Sequence, residues 1–383
     1  MLVSGSLRVL RIFGIDVRIH FSWILIFLLV TFSLASGVLP TSWSEPKQLF
    51  VAAIAAFLFF GSVVAHELAH ALVARRFRMS VSSITLFLFG GVANLTAEPR
   101  SALAEFLMAM AGPLTSFALA GVAFLVERLG SRVLDPAAMS TVAPVAGYLT
   151  TVNLAVGVFN LVPGFPLDGG RVLRAIVWAI RGDRSAATAV AARGGQVVAA
   201  LIALGGLLVL LVLGDAFGLW YVLIGWFLFD MANASLEQER IVTAAKGVRV
   251  AQLMATAYHA ARPDMSVAEL VSDLMLPYNL RVVPVVRDGR LLGTVGIDEV
   301  HGVDESSWPL FGVLDVMTPA SRITTVTPED ELVTAIERLG ESALLAVVQN
   351  GIIVGLLHRD AVVRYLSMRV ALGHNGRTAL RPL

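Results

Sequence analysis

The chain has 383 residues, of which 57% are hydrophobic and 15% charged, and its mean hydropathy is +0.78. An ordinary water-soluble globular protein is far less apolar, so most of this chain belongs in a lipid bilayer. A formal net charge of +1 says little about partners, no basic, aromatic-interleaved patch points to nucleic-acid binding, and zero cysteines exclude disulfides and thiolate metal sites.

Taken in order, Arg8, Arg11 and Arg18 precede an apolar run that no small-residue cleavage site follows, which reads as an anchor and not a removable signal. Apolar segments at 19–37, 48–74, 101–127, 141–162, 194–214 and 216–235 are each long enough to cross a hydrocarbon core of about 30 Å. The predicted architecture is a polytopic α-helical membrane protein with about six transmembrane helices. Arginines cluster at Arg8 to Arg18, at Arg75, Arg76, Arg78 and Arg100, and from Arg171 to Arg193, whereas the alternate loops hold Lys47, Arg128 and Arg132. The positive-inside rule then puts both termini in the cytoplasm. The Arg- and Ala-rich composition suggests a prokaryotic cell membrane.

Within the second span, His66, Glu67 and His70 spell H-E-L-A-H. On a helix, positions four apart share a face, so both imidazoles can bind one zinc ion with Glu67 beside it as a general base. The bland alternative is a polar patch between packed helices. Residues Val81 to Leu95 are too short and too rich in Ser, Thr and Phe to span, and Gly90 and Gly91 interrupt them. They read as an extended, membrane-embedded strand or hairpin lining the active-site cavity, because such backbone survives at membrane depth only where protein or water satisfies it. Gly90 and Gly91 fit either a plain turn or an exposed edge that captures substrate by strand addition.

Two histidines leave zinc short of a protein ligand. The fourth span ends in N-L-V-P-G-F-P-L-D-G-G, and Asp168 is the acidic residue near its cytoplasmic half. A carboxylate is costly there unless paired or metal-bound. Pro163, Gly164 and Pro166 should unwind the helix just before it. The alternative for Asp168 is to cap a short helix starting near Gly169. Asn160 could contact substrate or bond a neighbouring helix. His20 reads as an interfacial histidine, and Asp215 and Asp230 as interfacial acids.

H-E-x-x-H on one span paired with N-x-x-P-x-x-x-L-D-G on a later one resembles the site-2 protease family of intramembrane zinc metalloproteases. The resemblance covers residues 1 to about 235 and extends to Gly90-Gly91 and Ala111-Gly112-Pro113. It implies His66, His70 and Asp168 as ligands of one zinc, Glu67 as the base that activates water, and Asn160 holding substrate or stabilising the oxyanion. It also implies a membrane-anchored protein substrate and regulated intramembrane proteolysis. The family often has Asn where this chain has Ser116.

After Glu237 the composition becomes that of a soluble α/β domain that repeats itself: Val250 to Val300 and Val313 to Tyr365 share one plan. These repeats resemble a tandem pair of cystathionine-β-synthase (CBS) domains. The predicted domains are 1–240 for the protease, 247–303 and 312–370 for the repeats, and 371–383 as a tail. Such pairs often bind adenine nucleotides and associate with a second pair, which implies a nucleotide ligand and a homodimer. Yet the Ser/Thr-x-x-Asp contact to phosphate and ribose is replaced by Gly296 and Glu299 in the first repeat and by His358 and Ala361 in the second. The rival function is a CBS-gated membrane transporter of metal ions or solutes, which should tolerate Glu67→Gln where a protease should not.

Overall fold

The computed structural model describes residues 6–79, 81–87, 90–95, 99–340 and 342–372. Its chain divides into two units, Met1–Leu236 and Glu237–Leu383.

The first unit opens on a hairpin, β1 (Ser6–Ile12) and β2 (Ile15–His20). Phe13 and Gly14 both take positive φ, 49° and 79°, as a two-residue turn that matches strand twist requires. A bulge between Arg8 and Leu10 keeps the pairs Leu7–Ile19, Leu10–Val17 and Ile12–Ile15 on one face and Arg8–Arg18 and Arg11–Asp16 on the other. Helix α1 (Ser22–Gly37) follows, with 16 residues and hence about 24 Å of length. It starts three residues later than the predicted first span, because residues 15–20 alternate with period two and pair into the sheet.

Among the described residues, five helices are long and apolar enough to cross a membrane: α2 (Glu45–Arg76), α3 (Ala102–Leu129), α4 (Pro136–Asn160), α6 (Arg184–Val212) and α7 (Phe217–Ala245). With α1 as a sixth, shorter apolar helix, the predicted polytopic fold holds. Side chains such as Phe57, Leu125, Leu204 and Leu211 are exposed on these helices, as a lipid-facing surface requires. Between α4 and α6 lies the amphipathic helix α5 (Asp168–Arg181).

Residues Val81 to Leu95 form the predicted hairpin, β3 (Val81–Phe87) and β4 (Gly90–Leu95). The sheet order is β1-β2-β3-β4, with β2 and β3 parallel. So β3 is covered on both sides, and among the described residues β4 is an edge strand. Gly90 and Gly91 lie on β4, paired with Phe87 and Leu86. A core of Ile15, Ala71, Ala74, Met79, Val81, Ile84 and Met108 fastens this sheet to the last turns of α2 and to α3.

In the second unit, β5 (Val282–Arg287), β6 (Arg290–Gly296) and β7 (Thr318–Pro319) form one sheet, and β8 (Thr325–Val326), β9 (Leu344–Gln349) and β10 (Ile352–His358) another. The repeats exchange their leading segments. Val248 and Val250 are buried with Leu332, Leu345 and Leu357 of the second repeat, and Ala255 bridges to Leu356. Reciprocally, Val313 is buried with Leu270, Val283 and Val295 of the first repeat, and Thr318 pairs with Thr294.

Candidate active site

His66 and His70 sit one turn apart on α2, both buried, with their rings 4.9 Å apart and inclined by 73°. Asp168, the first residue of α5, places Oδ2 at 3.1 Å from the Nε2 of each. The helix is capped by the backbone of Leu167 without a side-chain bond, so Asp168 does not act as the cap. Residues 161–167, which contain Pro163, Gly164 and Pro166, leave the helical path and turn the chain from α4 into α5. Close packing holds this turn: a Cβ on Gly164 would lie 2.3 Å from Gly195 N, and one on Gly169 2.3 Å from Val162 O.

One stripe of α3 lines the other side of the histidines. His70 Nδ1 donates to the Met108 carbonyl at 2.6 Å, and His66 Nδ1 lies 2.8 Å from Ser116 Oγ. Between them Gly112 leaves room, since a Cβ there would stand 2.2 Å from His70 Nε2 and 2.4 Å from His66 Nε2. The bond to Met108 fixes the proton of a neutral His70 on Nδ1 and leaves the Nε2 lone pair facing a carboxylate oxygen. For the neutral ring that contact is satisfied by a metal ion between the two atoms, and for the charged ring by a proton on Nε2. Ligand atoms of His66, His70 and Asp168 all fall within 4.8 Å of one another, a nitrogen and oxygen set suited to zinc with bonds of about 2 Å. The residues present therefore fit the metal.

Glu67 lies beside this group on α2 and is half-buried. The edge strand β4 meets it: a Cβ on Gly91 would lie 2.5 Å from Glu67 Cγ. Arg171, one turn beyond Asp168, is within electrostatic range of both Glu67 and Asp168. Asn160 ends α4 and spends its Nδ2 on the Val156 carbonyl of its own helix at 3.0 Å. His20 bonds locally to Ser22 Oγ at 2.8 Å, and Asp215 Oδ1 accepts from the Phe217 N–H at the start of α7. The sequence carries no sign of the Met108 carbonyl, and it shows Ser116 only as a departure from the family's Asn. A backbone carbonyl leaves no residue signature, and the one available signal was the run of small residues around a mid-helix glycine, which is unfavourable in a helix without a packing reason.

Two imidazoles and a carboxylate closing on one point between membrane-spanning helices, with a second carboxylate alongside, define a membrane-embedded metallohydrolase. The peptidase family M50 model matches residues 54–130 and 131–205, and the CBS domain model residues 250–303 and 313–368. The chain is 37% identical over 366 residues to Rip3 of Mycobacterium tuberculosis, which is named as a zinc metalloprotease, covering 94% of this chain and 92% of that one. It is 33% identical over 380 residues to a Synechocystis protein also named as a zinc metalloprotease, covering 96% and 97%. Among solved structures, the site-2 protease from Methanocaldococcus jannaschii is 31% identical with a TM-score of 0.43, covering 60% of this chain and 95% of that one. This chain belongs to peptidase family M50: it is a multi-pass membrane zinc metalloprotease carrying a C-terminal CBS pair. The transporter reading is set aside.

Proposed function

We propose that the protein hydrolyses a peptide bond in or near a transmembrane segment of a membrane-anchored protein, the step that defines regulated intramembrane proteolysis. The observation that carries this reading is that the histidines, Asp168 and Glu67 lie between helices long and apolar enough to cross the bilayer, beside a strand at the edge of its sheet. His66, His70 and Asp168 would hold the zinc, one per chain. Zinc held there supplies Lewis acidity, which polarises a carbonyl and makes water easier to deprotonate. Glu67 takes the proton from the attacking water and later returns it to the leaving nitrogen as the C–N bond breaks.

A helical substrate must lose its internal hydrogen bonds before its carbonyl carbon can be attacked. Strand β4 offers replacements, because a free edge binds an extended segment by strand addition. Gly91 brings that edge against Glu67, so a segment laid on β4 passes the general base. The bond from Asn160 to Val156 gives no support to the expected oxyanion role, and Gly90 and Gly91 are read as edge positions.

By the arginine distribution the site opens toward the cytoplasm, with both termini on that side of a prokaryotic cell membrane. At the CBS pair the finer reading is a homodimer, to be checked by mass measurement in detergent; the residues at the expected nucleotide contact do not favour an adenine nucleotide ligand. Glu299 already accepts from Thr318 Oγ1 at 2.7 Å and from the Gly296 N–H at 3.0 Å, so its carboxylate is spent inside the fold. We therefore expect AMP and ATP to leave the thermal midpoint unchanged.

The substrate reading is tested by incubating the purified protein with a single-span reporter and with an unstructured soluble peptide, and mapping the cuts by mass spectrometry. Cuts within a few residues of the membrane span support it. Hydrolysis confined to the soluble peptide would contradict it.

A further inference from the structure

Helix α3 meets every one of the three metal-binding side chains, two of them directly and the third at one remove. Glu105, Met108, Gly112 and Ser116 recur at helical spacing on one stripe. Met108 and Ser116 orient His70 and His66. Glu105, with no exposed surface, accepts from Arg174 through Oε1, the Nε contact being 2.7 Å, and Arg174 lies on α5 two turns beyond Asp168.

We propose that the Glu105–Arg174 ion pair is a positioning element that fixes α5 against α3 and so sets where Asp168 stands relative to the histidines. The proposal rests on the reading of Asp168 as the third zinc ligand. Three features carry it. Asp168 has no capping bond to steady it, and the seven residues before it are not helical, so its place depends on how α5 is held. A guanidinium gripping one carboxylate oxygen through two N–H groups resists both sliding and rotation of the helix. The pair is also a poor way to gain stability. Glu105 Oε2 is buried without a partner among the described residues, and well-packed apolar side chains commonly stabilise a core as well as a buried ion pair does. Arg171, between Asp168 and Arg174 on α5, adds a second cation within electrostatic range of Glu105 and of Asp168.

The experiment uses the full chain in lipid nanodiscs and reads zinc affinity by competition with a chelator, alongside the thermal midpoint of the metal-stripped protein. The variants are Asp168→Asn, the double variant Glu105→Leu with Arg174→Met, and Arg174→Lys. The double variant is expected to keep the metal-free midpoint while zinc binding weakens by about 10- to 100-fold, the range usual for outer partners of metal ligands. Arg174→Lys, which keeps the charge but loses the fork, should fall between it and wild type, and decides on the same terms if the double variant does not fold. Wild-type zinc affinity in both, or a loss matched by an equal loss of metal-free stability, overturns the proposal. Wild-type affinity in Asp168→Asn would instead overturn the ligand reading beneath it.

Discussion

Gly112 and Ser116 both pack directly against the histidines of the candidate site. A methyl group at position 112 would occupy the space in front of both Nε2 atoms. Gly112→Ala is therefore expected to abolish stoichiometric zinc, measured by elemental analysis of the purified protein. Ser116→Ala removes the partner that fixes the His66 ring, and zinc affinity should fall by about 10-fold. Unchanged affinity in that variant would mean that packing alone orients His66. The proposed ligands stand out in the sequence because few residue patterns put two histidines four apart and a later carboxylate into apolar segments. Their outer partners do not: Ser116 is a common residue at a position where the family often has Asn, and Met108 acts through its backbone.

At the level of elements, the hairpin β3–β4 and the interrupted stretch 161–167 place the chemistry. The hairpin was legible from its length and its Ser, Thr and Phe content. Its partner strand β2 is less legible, because the short alternation I-D-V-R-I-H runs directly into an apolar helix and Arg18 also fits the basic flank of a span. The first span therefore reads from the sequence as starting at residue 19, three residues before α1. The contact of Gly91 with Glu67 is equally invisible in sequence, since it joins residues that only the sheet brings together. Gly91→Ala must push Glu67 aside, as its Cβ would stand 2.5 Å from Cγ. Cleavage should slow by about 10- to 100-fold with zinc retained, because small misplacements of a reacting group are costly. An unchanged rate would remove β4 from the account.

Across the whole molecule, repetition was legible and the exchange between repeats was not. Sequence similarity marks two copies, but which copy a leading segment joins depends on three-dimensional packing. Val248 and Val250 are buried in the second repeat's core, so Leu357→Ala, about 2–5 kcal/mol destabilising for a fully buried leucine, should loosen residues 248–254 as well. Hydrogen exchange would show faster exchange there and in β9 and β10 than in β5 and β6. Acceleration confined to the second repeat's own strands would contradict the exchanged arrangement.

The proposed hydrolysis turns on Glu67 acting as a base beside a metal that it does not bind. The direct measurement compares wild type and Glu67→Gln for cleavage of a single-span reporter, with bound zinc quantified in both. Zinc equal in the two proteins and cleavage lost in the variant is the expected result; substantial cleavage by zinc-loaded Glu67→Gln would contradict it.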